Sequence, residues 1–177
     1  MDALVVVETV FGNTRRIAEA VAEGLGRRVH ARVVDVTDLP AELVERADLL
    51  VVGGPTHAFG MTRPATRQTA AEQAGGGAVA ARIGLREWLD TLPRAEPGHL
   101  AAAFDTRTDR PRLPGSAAAA ALRRLRHLGY GRLCGPESFR VAGTTGPLLD
   151  GELARARSWG AGLVALALSR TAERSGR

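Results

Sequence analysis

Along the chain, short runs of β-branched and aliphatic residues alternate with longer stretches whose apolar positions recur at helical spacing. Val5, Val6 and Val7 make the first run, which reads as a strand buried on both faces. Ile17, Val21 and Leu25 follow at helical intervals, predicting a helix from Asn13 to Gly26 that the glycine closes. From Val29 to Val36, His30 and Arg32 alternate with Val29, Ala31 and Val33, a pattern that suits a strand at a sheet edge. Pro40 suits the first turn of a short helix through Leu43 and Val44, and Leu49 to Val52 is a third buried strand running into Gly53, Gly54 and Pro55. Leu85, Trp88, Leu89 and Leu92 share one face of a helix from Arg82 to Leu92, which makes Trp88 a core residue rather than a ligand contact.

The second half repeats the alternation. Leu100 to Phe104 is a fourth strand, stopped by the polar change at Asp105, and DTRTDRPRLPG reads as a loop from its charges and prolines. Ser116 caps a helix whose stripe is Ala118, Leu122, Leu125 and Leu128, with Gly129 as its stop. The fifth strand comes in two pieces, Arg132 to Cys134 and Ser138 to Val141, because Pro136 cannot donate to a central ladder. Asp150 opens the last helix, with Leu153, Gly160, Leu163, Val164 and Ala167 inward, and residues from Thr171 onward read as a polar tail. Strands alternating with amphipathic helices in this way predict one α/β domain over residues 1–170, a doubly wound parallel sheet covered on both faces. In such sheets ligands collect beyond the carboxyl ends of the strands. The stretches Thr9 to Thr14, Pro55 to Gly60 and Asp105 to Thr108 all follow such ends and should converge.

Composition narrows the classes of function. With 177 residues, 45% hydrophobic and 24% charged, the chain has the balance of a soluble globular protein. Its longest apolar segment, AGLVALAL, falls far short of the roughly 20 residues of a membrane span, and no basic region precedes the first apolar run; cytoplasm is the expected location. The net charge is +5, carried wholly by arginine since the sequence contains no lysine. Those arginines are scattered among acids with little aromatic company, which argues against nucleic acid as a partner. Cys134 stands alone, so no internal disulfide forms, and His30, His57, His99 and His127 show no metal-ligand spacing. There is no G-x-S-x-G elbow for a hydrolase and no G-x-G-x-x-G for a dinucleotide.

The candidate chemistry starts at Thr9 to Thr14, where the first strand runs into a helix. Such a junction offers unpaired backbone N–H groups and the positive end of a helix dipole, enough to seat a phosphate without any lysine. Thr9 and Thr14 bring hydroxyls to its two ends, and Asn13, the only asparagine, suits a tight turn because it tolerates a left-handed backbone. The same residues also fit a plain helix start capped by Thr9 or Asn13 with no ligand. The stretch PTHAFGMTRPATRQTAAEQAGGGAVAAR is long for a loop in a compact domain, with room for one or two helical turns between Ala65 and Gln73, and it reads as a lid or binding loop.

ETVFGNT followed by RRIAEAVAEGL resembles the hydroxyl-rich phosphate turn of the flavodoxin family, and the element order resembles that family over nearly the whole chain. The resemblance implies a five-stranded sheet in the order 2-1-3-4-5 with FMN at its switch point, an arrangement for which flavodoxin is a standard example. It implies that Thr9 and Thr14 donate hydroxyls to the FMN phosphate while Val10, Phe11, Gly12 and Asn13 supply amides. Pro55, Thr56, His57, Ala58, Phe59 and Gly60 then correspond to the loop covering the flavin ring, and Asp105, Thr106 and Arg107 to the loop on its other side. Phe11 stands where the family usually has threonine, one hydroxyl fewer, which should weaken phosphate binding by about 1 kcal/mol. His57 and Phe59 are the ring-stacking candidates, and His57 is the weak candidate for a proton donor. Arg15, Arg63, Arg67, Arg107, Arg110 and Arg112 fall at the same end of the sheet, where familiar flavodoxins are acidic, which implies a less negative flavin potential.

Two functions from different classes follow. One is an FMN-binding redox protein, either an electron carrier docking on a partner protein or a small reductase whose loop from Met61 to Gly77 closes over an organic acceptor. The other is a flavodoxin-like module without flavin that acts in protein interaction or regulation.

Overall fold

The computed structural model describes residues 1–26, 29–39, 41–57, 59–74, 83–111 and 114–175. Among them the chain runs β1 (Asp2–Val7), α1 (Asn13–Leu25), β2 (His30–Asp35), α2 (Ala41–Glu45), β3 (Leu49–Pro55), α3 (Pro64–Ala74) and α4 (Leu85–Thr91). It continues through β4 (Leu100–Thr108), α5 (Ala117–His127), β5 (Gly131–Arg132), β6 (Glu137–Val141) and α6 (Glu152–Ser175). The strands form one parallel sheet in the order β2-β1-β3-β4-β5, with β6 also on β4. β5 pairs with Leu100 and Ala101, and β6 with Phe104 to Thr108, so the two short strands occupy successive stretches of one sheet position. This is the doubly wound order 2-1-3-4-5, with the outer strand broken around Pro136.

The valine run alternates between two cores. Leu4 and Val6 join Leu50, Val52, Leu89 and Leu125 beneath α4 and α5, while Val5 and Val7 join Ile17, Leu49, Phe104 and Leu163 beneath α1 and α6. α1 and α6 cross backbone to backbone. A Cβ built on Gly24 would lie 2.1 Å from the Arg157 carbonyl oxygen, and one on Gly160 would lie 2.3 Å from that of Val21.

Several boundaries differ from the sequence reading. β3 continues through Gly53, Gly54 and Pro55 because β4 pairs with all three, and Gly53 leaves room for the Phe104 ring, which a Cβ there would approach to 2.1 Å. β4 continues through Asp105, Thr106, Arg107 and Thr108, because β6 pairs with all of them; a polar strand end is sustained by its ladder. The stretch expected to be mostly loop holds α3, three turns long, and packs Arg67, Ala70 and Ala71 inward. The helix expected from Arg82 begins at Leu85; Arg82 itself, like Pro40, lies outside the described residues. Residues expected as a polar tail continue α6 to Ser175.

Candidate functional site

β1 ends at Val7, and the chain turns over Glu8 to Gly12 into α1. The left-handed residue of this turn is Gly12, at φ 81°, not Asn13, which opens the helix. Glycine takes that backbone without a Cβ clash, which leaves the Asn13 side chain free to bond elsewhere. Its amide donates to the Thr145 carbonyl at 2.8 Å, tying the turn to the loop after β6. The Gly12 amide donates to the Thr9 hydroxyl at 3.1 Å, and the Gly12 carbonyl accepts from Arg16 N at 3.1 Å. Among the described residues no hydrogen bond engages the amides of Val10, Phe11, Asn13 or Thr14. The turn therefore presents several N–H donors at a positive helix end.

Those donors open into a cleft of about 60 Å³ at the carboxyl ends of β1, β3, β4 and β6. From the sequence reading, the structure places Val10, Phe11, Asn13, Thr14, Pro55, Thr56, His57, Thr106 and Arg107 along its wall. Thr108, the last residue of the stretch expected to converge, also lines it; Val141 and Thr144 line it too and were missed, because the pairing of β6 with β4 brings the end of β6 there. Gly12 and Thr9 belong to the turn but are not among the lining residues. Asp105 is sealed beneath the cleft; its Oδ2 accepts from the Thr56 hydroxyl at 2.9 Å, the Ser116 hydroxyl at 2.6 Å and the Ala118 amide at 3.1 Å. It joins β3, β4 and the start of α5 rather than facing a ligand, while its Oδ1 has no partner among the described residues. The Thr14 hydroxyl pairs with that of Thr106 at 2.8 Å, locking α1 to β4 under the cleft floor.

The second loop turns tightly. His57 and Gly60 exchange both backbone hydrogen bonds, at 2.9 and 3.0 Å, with Phe59 held at φ 72°. Phe59 does not line the cleft; it is 59% exposed. Ala58 lies outside the described residues. His57 does line the cleft, and burial lowers its pKa from 6.5 despite a backbone hydrogen bond at Thr66 that opposes the shift. Burial thus favours the neutral imidazole at this position. A folded-state pKa below the unfolded one contributes stability that is present above pH 6.5 and lost as pH falls through the lowered value. Proton-detected NMR of the histidine ring signals should place the His57 midpoint below 6.5.

Beneath these loops lies a charged cluster that periodicity could not reveal. Glu8, 3% exposed, accepts from the Thr62 hydroxyl at 2.5 Å and the Leu85 amide at 2.7 Å. Arg67, 2% exposed, donates to Thr62 at 3.0 Å and pairs with Glu87 at 2.9 Å. Burial pushes the Glu8 carboxyl up, against the opposing pull of Thr62, Leu85 and Arg67. At Glu87 burial acts in the same direction but is outweighed by the amides of Gly84 and Glu87 and by Arg67, so its pKa is lowered. Thr62 and Arg67 thereby fasten the described part of residues 61–77 to the end of β1 and to α4. The cluster also removes Arg67 from the set of arginines facing the cleft, and Arg15 pairs with Glu19 at 3.2 Å; Arg112 lies outside the described residues.

The architecture has known counterparts. The flavodoxin family model matches residues 5–79. A flavodoxin from the domain Archaea is 19% identical, with a TM-score of 0.65 over 94% of this chain and 99% of that one. Oxidised flavodoxin 1 from Bacillus cereus is 18% identical, with a TM-score of 0.66 over 93% and 98%. The flavodiiron protein from Giardia intestinalis, 16% identical, matches 95% of this chain but only 36% of its own, with a TM-score of 0.59. No curated protein sequence matches significantly. No helix among the described residues is long and apolar enough to cross a membrane, and no group of three or more His, Cys, Asp or Glu side chains there could hold a metal ion. Residues 5–79 match the flavodoxin family model, and the chain as a whole has the fold of the flavodoxins it resembles.

Proposed function

We propose that the chain holds FMN and works as a redox protein, with the phosphate seated on the turn from Thr9 to Thr14. The observation that carries this reading is the set of unengaged amides at Val10, Phe11, Asn13 and Thr14, residues that line a cleft at the carboxyl ends of the strands. No Cβ occupies the turn at Gly12, and nothing lies within 4 Å of where one would be, so the backbone is open to close approach by an anion. The FMN would supply electron transfer through its ring, which is the cofactor's own chemistry. The chain's residues would bind and orient it: the turn amides on the phosphate, and Pro55 to His57 and Thr106 to Thr108 on the two sides of the cleft.

Phe11 withholds the hydroxyl that the family commonly has there, and the Thr14 hydroxyl is paired with that of Thr106, so backbone donors carry most of the anion's contacts. His57, half-buried on the cleft wall, is placed to hold or move a proton at an imidazole nitrogen, the role a reductase would need. A carrier needs no such group. The fastening of residues 61–74 by Thr62 and Arg67 removes the closing segment that a reductase would use over an organic acceptor, which favours a carrier with a protein partner.

The flavin-free alternative rests on the inward turn of the Thr14 hydroxyl and on the small cleft. Titration of the purified protein with FMN and with riboflavin separates the two readings. FMN binding should shift the flavin absorption near ~450 nm and quench its fluorescence, with riboflavin at least ~100-fold weaker, because loss of charge-assisted bonds to several amides costs about 3 kcal/mol or more. Equal affinity for both would remove the phosphate seat, and no binding of either would leave the interaction module.

A further inference from the structure

We propose that the rim beside the cleft is a docking surface for an acidic redox protein, with Phe59 as its apolar anchor. The partner's being a redox protein rests on the flavin reading above; its charge and the anchor rest on the geometry of the loop. A phenylalanine at φ 72° is strained, since a Cβ crowds the carbonyl in the left-handed region. A single exposed apolar residue needs no explanation, but one held in water by a strained backbone does.

The surroundings keep it there. A Cβ on Gly115 would fall 1.9 Å from the Phe59 carbonyl oxygen, so the segment leading into α5 abuts the loop from one side. On that side Arg107 Nη1 donates to the Gly115 carbonyl at 2.7 Å. On the other, Arg86 donates from Nη2 to the Met61 carbonyl at 3.0 Å and from Nε to that of Thr62 at 3.2 Å. Arg63, exposed, follows directly. Neither Arg86 nor Arg63 pairs with a carboxylate among the described residues, and nearby Glu87 is already held by Arg67. A strained aromatic flanked by guanidinium groups fits a partner with carboxylates around an apolar patch, and long-range attraction of that kind acts most on encounter and orientation.

The test uses the full chain loaded with FMN, its loading read from the visible spectrum, and two forms of one acceptor: native cytochrome c, which is basic, and cytochrome c with its lysines succinylated, which is acidic. Isothermal calorimetry at about 0.01 M ionic strength, where charges act over about 30 Å, should give at least ~10-fold tighter binding of the succinylated form, and the difference should vanish near ~1 M salt. After photoreduction by a tertiary amine, one electron passes from the reduced flavin to the ferric haem, with no bond made or broken, and the succinylated form should be reduced faster at low salt. Phe59→Gly should weaken its binding about 5-fold while raising the melting temperature by roughly 2 °C, because glycine removes the strain. Arg86→Gln should weaken the succinylated form and not the native one. Equal or tighter binding of native cytochrome c overturns the proposal, as does an unchanged affinity in Phe59→Gly. A protein that takes up no flavin fails by its spectrum instead, and the calorimetry still reads the surface.

Discussion

Replacing Gly160 by alanine is expected to destabilise the protein by about 3 kcal/mol, a drop of roughly 6–12 °C in melting temperature for a chain of this size. Alanine in a helix interior is ordinarily favoured over glycine by about 1 kcal/mol, so the sign depends on what the new methyl meets. At Gly160 it meets backbone: the Val21 carbonyl oxygen at 2.3 Å and the Gly24 Cα at 3.2 Å, neither of which can rotate away. Relief requires α1 and α6 to separate, opening the core around Ile17, Ala156 and Leu163. Gly162 is the control. It sits on the same helix with nothing within 4 Å of a built Cβ, and Gly162→Ala should be neutral or stabilising by up to about 1 kcal/mol. Circular-dichroism melts of the two variants check this; similar behaviour would mean that the helices do not cross at Gly160. Because α1 begins at the phosphate turn, a separated α1 should also weaken the flavin.

Arg67→Met should cost about 3–5 kcal/mol at neutral pH, because it leaves the carboxylate of Glu8 buried without its guanidinium neighbour. The loss should depend on pH with a definite sign. Glu8 has a folded-state pKa above its ordinary 4.5, raised by burial, and removing Arg67 takes away one of the interactions that restrain it. A raised carboxyl pKa contributes stability that is full below 4.5 and lost as pH rises through the folded value. The variant's deficit should therefore be largest above that value and shrink on acidification. Glu87 works the other way: its lowered pKa contributes stability above 4.5, lost as pH falls, and the variant forfeits the share due to Arg67. Urea melts across the acid range read both. Glu8→Gln combined with Arg67→Met should recover part of the loss, and strict additivity would show that the two side chains do not interact.

The difference in legibility between these two features is physical. The strand of three valines, the stripe of Ile17, Val21 and Leu25, and the break in the outer strand at Pro136 are local signals that the structure bears out, although the first outer piece is Gly131–Arg132 rather than Arg132 to Cys134. Gly160 could be read as inward-facing but not as a backbone crossing, since only the approach of α1 defines that. Glu8 and Arg67 lie 59 positions apart by their numbers, and a buried ion cluster between such positions leaves no periodicity to follow. The left-handed residue of the turn fell to Gly12 rather than Asn13, and Val141 and Thr144 reached the cleft through a ladder that a polar strand end conceals. Sequence thus locates the three loops that meet, while which side chains face the opening is decided by pairing and packing between them.

The two-piece outer strand has a consequence beyond topology. An uninterrupted border strand presents a row of free amides and carbonyls onto which another molecule can zip, the route to unwanted polymers. Here that border is a two-residue piece, a gap bearing Pro136, and a five-residue piece, while the opposite border, β2, carries His30, Arg32 and Asp35. An arriving strand would find no more than five consecutive rungs on one side and charged side chains on the other, so crowding of many copies favours separate molecules over a growing ribbon.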